Sequence, residues 1–256
     1  MLFRSVEKQL RARGQTRHEL GREDRSLAIL GEGNCSARLS KETFLVKASG
    51  SCLHTLTRSQ LTECDMRRVS AMIDMQALEG AALEKELMAS RIRPDAPRPS
   101  IETAFHAWLL QQEGIHFVGH CHPVSCNIIL CSMAAEKFAS ERLFPDQVVC
   151  CGPQSIYVPY CEPGLPLARE IRAKVVLYSR RNYGRIPRLI LLGNHGVIAI
   201  GGSASEVLSC ILMAEKAAQI FIGAVGLGGP VFLPQHQAQR IDSRGDEAYR
   251  RGRLNR

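Results

Sequence analysis

Two strand-sized apolar runs, Leu189–Leu192 and residues 197–200, flank Asn194-His195-Gly196, and no apolar run approaches the ~18 residues needed to span a bilayer. Further strand patterns fall at 36–39 and 43–47, which are separated by Ser40, Lys41 and Glu42. Others fall at 115–121, around 147–150 and at 155–158. Helical spacing is expected over much of 2–12, with Leu2, Phe3, Val6 and Leu10 on one side. It recurs near 124–133 and over 167–178. Ser100 reads as the N-cap of a helix from about 101 to 112, whose apolar stripe is Ile101, Ala104, Phe105, Trp108 and Leu109. Ser203-Ala204-Ser205-Glu206 is a capping-box pattern opening a long helix to about Phe221. Residues 66–85 mix helical and loop signals, and the prolines of 93–99 make a rigid, non-helical connection. Strands and helices do not alternate strictly as β-α-β. The expected class is therefore α/β with a mixed or mostly antiparallel sheet, not a doubly wound one.

With 256 residues, 45% hydrophobic and 23% charged, the chain is long enough for one large α/β domain. No repeat, low-complexity segment or long linker marks a second one. Residues 1–256 are thus expected to form a single domain with basic N-terminal (about 1–25) and C-terminal (about 236–256) extensions. The first residues lack the apolar core of a secretory signal, and Glu7, Glu19, Glu23 and Asp24 argue against a transit peptide, so a cytoplasmic location is expected. Among ten cysteines no C-x-x-C pair occurs, so they read as reduced apolar fillers; Cys150-Cys151 is structural on this reading. The net charge of +8 lies largely at the ends, among Arg4, Arg11, Arg13 and Arg17 and again Arg250, Arg251, Arg253 and Arg256. Without a basic run interleaved with aromatics, it implies solubility and steering of anionic substrates, not nucleic-acid binding.

His120-Cys121-His122 is the sharpest chemical signal. In a strand, residues i and i+2 share a face, so both imidazoles can reach one ion; the alternative is two polar residues on one strand face. His195 is either a hydrogen-bonded turn residue or the third ligand such a pair needs, since a catalytic site has three protein ligands and an open position. Glu102 could serve as general acid/base, or could simply favour a helix N-terminus; His106, four residues on, could pair with it. Gly31-Glu32-Gly33-Asn34 and Ser49-Gly50-Ser51 could present N–H groups to an anion, or be ordinary turns.

These pieces, in this order, resemble the class II aldolase/adducin family from about Gly31 to Phe221. The motifs are Gly33-Asn34, Lys47-Ala48-Ser49-Gly50, Ser100-Ile101-Glu102, His120-Cys121-His122 and Asn194-His195-Gly196. The resemblance implies one central, mostly antiparallel sheet flanked by helices on both faces, commonly in a homotetramer. It implies metal ligands His120, His122 and His195, the acid/base Glu102, and substrate or phosphate binding by Gly33, Asn34, Lys47, Ser49, Gly50 and Ser100. The cofactor implied is a divalent ion, zinc first, with Mn2+, Fe2+, Co2+ or Ni2+ also suited to three imidazoles. The activity implied is aldol cleavage of a hydroxylated ketose (phosphate) or keto acid through a metal-stabilised enediolate. Ile101 stands where the family's fuculose-phosphate aldolases carry a second serine, whereas Lys47 is similar to its ribulose-phosphate 4-epimerases. A 4-epimerase, a decarboxylase or dehydratase, and a non-catalytic adducin-like interaction module are the alternatives. Tyr160 and Tyr249 are the candidates for helper tyrosines.

Overall fold

The computed structural model describes residues 19–246; the helix expected over 2–12, the terminal arginines and Tyr249 lie outside the described residues. The strands are β1 (Asn34–Arg38), β2 (Thr43–Lys47), β3 (Leu61–Asp65), β4 (Phe117–Cys121), β5 (Ile156–Val158), β6 (Leu189–Leu192) and β7 (Gly196–Gly201). They form a seven-stranded sheet in the order β3-β2-β1-β4-β7-β6-β5, with β1–β2, β2–β3 and β6–β7 antiparallel and β5–β6 parallel. The α/β class with a mostly antiparallel sheet is therefore as the element order implied. The described residues divide into two compact units. One is formed by residues up to Gly119 with Glu162–Arg172, the other by His120–Cys161 and the residues from Ala173 onward.

In the first unit, the β1–β2 turn closes through Ser40, whose Oγ accepts from the N–H groups of Glu42 and Thr43, each at 3.0 Å. β3 was not anticipated, because Glu63 and Asp65 interrupt its apolar pattern; its buried face is Thr62 and Cys64. Asp65 ends it and caps α1 (Met66–Ala71), its side chain accepting from Arg68 N–H. Then come α2 (Gly80–Ala89) and α3 (Thr103–Leu110). α3 is buried almost all round, including Thr103, Phe105, His106 and Leu109, while Ile101 is 40% exposed before it begins. Ser100 is accordingly not its N-cap. Glu102 holds that position, and Ser100 Oγ accepts from the Glu102 N–H at 3.3 Å.

The second unit contains α4 (Val124–Leu130), α5 (Ala135–Ser140), α6 (Pro145–Cys151), α8 (Ala204–Val225) and α9 (Gln235–Ser243); α7 (Leu165–Arg181) has its first residues in one unit and the rest in the other. The strand expected around 147–150 is part of helix α6. Val148 and Val149 suggested a strand, but Pro145 presets the first helical turn, and Gln147, Val148, Val149 and Cys151 are buried, α6 packing on α8. α8 is the long helix expected from Ser203, which caps it, and it runs past Phe221 to Val225. Its 22 residues include a window apolar enough to cross a membrane, which a search for unbroken runs overlooks because Glu215 and Lys216 interrupt it. It packs on α4, α6 and β7, with Val207, Ile211, Ala214, Ala218 and Phe221 buried, as a core helix does. β6 and β7 are buried at every residue, so neither of their faces is solvated. Arg142 is fully buried, its guanidinium donating to the carbonyls of Gly152, Ala139 and Glu141 and to Ser155 Oγ, all at 2.7–3.1 Å. Burial lowers its pKa.

Candidate metal centre and active site

His120 is the penultimate residue of β4 and fully buried, with His122 just beyond the strand end. His195 sits in the turn between β6 and β7, where Asn194 takes a left-handed φ of 52°. This turn is tight because β6 and β7 pair directly through Leu192↔Gly196. Both segments lie in the second unit, and their imidazoles converge: ring centroids are 4.9, 4.9 and 5.1 Å apart, and the candidate ligand atoms lie within 4.8 Å of one another. The Nε2 atoms of His120 and His122 are 3.2 Å apart. Two nitrogens at ~2.0–2.1 Å on a tetrahedral ion would be separated by about 3.3 Å, so this pair already has that spacing. His120 Nδ1 lies 3.0 Å from the Val197 carbonyl. A carbonyl can only accept, so Nδ1 carries the proton and the Nε2 lone pair is turned toward the cluster. The donor set fits a divalent ion.

Two neighbours make this convergence feasible. A Cβ on Gly196 would meet the Cys121 carbonyl oxygen at 2.6 Å, His122 Cδ2 at 2.6 Å and His120 Cε1 at 3.3 Å, so the ligands close over a position with no side chain. Gly196→Ala is expected to weaken divalent-ion binding about 10-fold or more, because overpacking strain of ~1–3 kcal/mol would fall on the ligands themselves. Titration of metal-stripped protein against a competing chelator checks this. Asn127 of α4 donates from Nδ2 to the His195 carbonyl at 3.0 Å. Cys126, close by in sequence, does not offer a thiolate: burial first, then the Glu215 carboxylate, raises its pKa well above the ordinary value.

The remaining candidates lie in the first unit. Glu102 is 7% exposed, and its Oε2 accepts from Asn34 Nδ2 at 2.6 Å. Asn34 thus holds a carboxylate as well as lying beside Gly33, whose φ is 68°. His106 Nδ1 is 2.7 Å from Ser36 Oγ, and its ring stacks on Phe105. Lys47 is buried, and Nζ donates to the Gly31 carbonyl at 3.1 Å and to the Ser51 carbonyl. It thereby ties together the two small-residue loops, and burial lowers its pKa. Ser49 and Gly50 are exposed at the tip of one loop, Gly50 with φ 75°, and Ser100 is half-buried. Tyr160 is exposed in the second unit. Sequence reasoning named Gly196 only as part of the Asn194-His195-Gly196 motif, and it missed Asn127 and Glu215. Only the glycine beside His195 carried a local signal.

The chain matches the family model for the class II aldolase and adducin N-terminal domain over residues 18–222. It belongs to the class II aldolase/adducin family. Among curated members, it is 26% identical over 213 residues to the 3-oxo-tetronate 4-phosphate decarboxylase of Haemophilus influenzae, covering 81% of this chain and 86% of that one. It is also 26% identical over 205 residues to the uncharacterised oxidoreductase YuxG of Bacillus subtilis, but 75% of this chain matches only 27% of that much longer protein. Solved structures share the fold. YgbL of Escherichia coli, described as a putative aldolase/epimerase/decarboxylase, has a TM-score of 0.68 at 20% identity over 93% of this chain and 100% of that one. An L-fuculose 1-phosphate aldolase has 0.63 at 16% identity over 92% and 93%.

Proposed function

We propose that this member of the class II aldolase/adducin family is a metal-dependent lyase. It would cleave the bond between the α-carbon and the hydroxyl-bearing β-carbon of a small hydroxylated ketose (phosphate) or keto acid. The observation carrying this reading is the three-imidazole cluster, with His120 and His122 Nε2 atoms 3.2 Å apart and the His120 tautomer set by Val197. His120, His122 and His195 would hold the ion, with zinc the first choice. A divalent ion there supplies Lewis acidity toward the carbonyl and hydroxyl oxygens of a bound substrate.

The chain's own residues supply the rest. In cleavage, the β-hydroxyl gives up its proton to solvent as its carbon becomes a carbonyl, and the electron pair of the broken α–β bond passes to the α-carbon. Glu102 donates a proton to that carbon, and removes one there in the condensation direction. Asn34 orients Glu102 through Oε2. Gly33, Asn34, Ser49, Gly50 and Ser100 are proposed to hold the anionic end, with Lys47 contributing positive charge from beneath the loops it ties together. Anchoring that end orients the reacting one. The protein would act in the cytoplasm as a homo-oligomer, the tetramer being the expected form, with basic extensions at its ends.

A second reading is decarboxylation of a phosphorylated 3-oxo acid, favoured by the relative that is 26% identical over 86% of its own length. Product analysis separates the readings. Metal-loaded protein should be incubated with ketose phosphates and with 3-oxo acid phosphates, and the products resolved by NMR. Two carbonyl fragments mean an aldolase, CO2 with a ketose phosphate means a decarboxylase, and one rearranged sugar means a 4-epimerase. No turnover of any panel member by a metal-loaded protein would favour an adducin-like interaction module.

A further inference from the structure

Helix α4 begins two residues after His122, with Pro123 at its N-cap position and no capping bond from that side chain. The first-turn N–H groups it leaves unmet are answered from a distant part of the chain. Glu215, in the middle of α8, accepts from the Ser125 N–H through Oε1 at 3.2 Å and from the Cys126 N–H through Oε2 at 3.1 Å. Gln219, one turn further along α8, donates to the same Oε1 at 3.2 Å. Glu215 is 7% exposed, whereas α8 otherwise buries Val207, Cys210, Ile211, Ala214, Ala217, Ala218 and Phe221. A serine or asparagine beside the helix would answer the same donors without burying a carboxylate. What the carboxylate adds is direction: both oxygens face the positive end of one short helix and fix it against α8.

That helix holds both ligand-bearing segments. His122 joins it covalently through Pro123. The His195 turn is bonded to it twice, by Asn127 Nδ2 donating to the His195 carbonyl at 3.0 Å and by the Asn194 N–H donating to the Leu130 carbonyl at 3.1 Å. α4 is thus the strut between His122 and His195, and Glu215 anchors the strut.

We infer that Glu215 is a positioning residue of the metal centre: acting through α4, it sets the separation of the His122 and His195 imidazoles and so the affinity for the divalent ion. The inference rests on the three histidines being that centre. Partners that orient metal ligands typically account for about 10–100-fold in affinity.

The test uses the full chain as wild type, Glu215→Gln and Asn127→Ala. Each is stripped of metal, titrated with Zn2+ against a chelator and with Co2+ followed by its visible absorption, and melted in the metal-free form. Glutamine keeps the shape of the side chain but presents an NH2 to one of two N–H donors. Glu215→Gln is expected to bind Zn2+ about 10–100-fold more weakly, with an altered Co2+ spectrum and a cooperative melt. Asn127→Ala, which removes one bond to the His195 segment and leaves the α4 cap intact, is expected to weaken binding about 10-fold. Wild-type affinity and spectrum in both variants would overturn the inference, even with a lowered melting temperature, because Glu215 would then be only a cap. Should Glu215→Gln fail to fold, Asn127→Ala decides alone, and unchanged affinity there would overturn it. A wild type that binds neither ion would instead overturn the metal reading itself, and the inference with it.

Discussion

Replacing His122 with alanine is expected to abolish tight metal binding and, with it, turnover. Wild-type protein prepared without chelator should carry about one divalent ion per chain, and the variant close to none, by elemental analysis. Four-ligand structural zinc sites gain roughly 10–16 kcal/mol, or about 2.5–4 kcal/mol per ligand, so losing one imidazole should cost about two to three orders of magnitude in affinity. The loss should not be made good locally. His122 stands on a segment held by β4 on one side and α4 on the other, and the described residues show no further His, Cys, Asp or Glu in the same cluster. The fold should survive, because His122 is only half-buried and α4 is capped by Glu215, not by the histidine. Metal-free wild type and His122→Ala should therefore melt within about 0.5–1 kcal/mol of each other. Full metal content in His122→Ala would sink the three-histidine site.

Glu102→Gln should separate metal binding from proton transfer. The change conserves shape, and the glutamine carbonyl can still accept from Asn34 Nδ2, which now reaches Glu102 Oε2 at 2.6 Å. The variant should fold and retain its ion, since none of the three imidazoles is altered. What it loses is a proton donor and acceptor, which contributes typically 10^2–10^4-fold, or about 3–5.5 kcal/mol of barrier. The drop should appear in kcat, with KM little changed, once a substrate has been found by product analysis. Wild-type turnover in a metal-loaded Glu102→Gln would remove Glu102 from the chemistry. Both variants together test the division of labour: one should lose the ion, the other only the proton.

Much of the candidate site was legible because its signals are local. The period of two along a strand puts His120 and His122 on one face, and a four-residue break between apolar runs, 193–196, exposes His195 at a turn. The order of elements pointed to a mostly antiparallel sheet for the same reason. Where local signals conflicted, the reading failed: Val148 and Val149 favoured a strand, while Pro145 and burial on α8 made a helix. At Ser100, the cap-forming residue type was right but the helix began later, leaving Glu102 at the N-cap position.

The sequence by itself determined the residue types, their faces and their order: two histidines two apart, a third in a turn followed by glycine, and an acidic residue entering a helix. Tertiary structure alone decided which of these meet. The 3.2 Å approach of His120 and His122, the Val197 carbonyl that sets a tautomer, and the Asn34–Glu102 bond all depend on strand and helix placement. Lys47 shows the same division. Its charge could be read from the chain, but the carbonyls of Gly31 and Ser51 that take up its N–H groups could not. Glu215 is the clearest case, since an acid inside an apolar helix looks like a defect until the bare first turn of α4 is brought against it. Periodicity is a property of neighbours along the chain; hydrogen-bond satisfaction in a buried place is a property of neighbours in space.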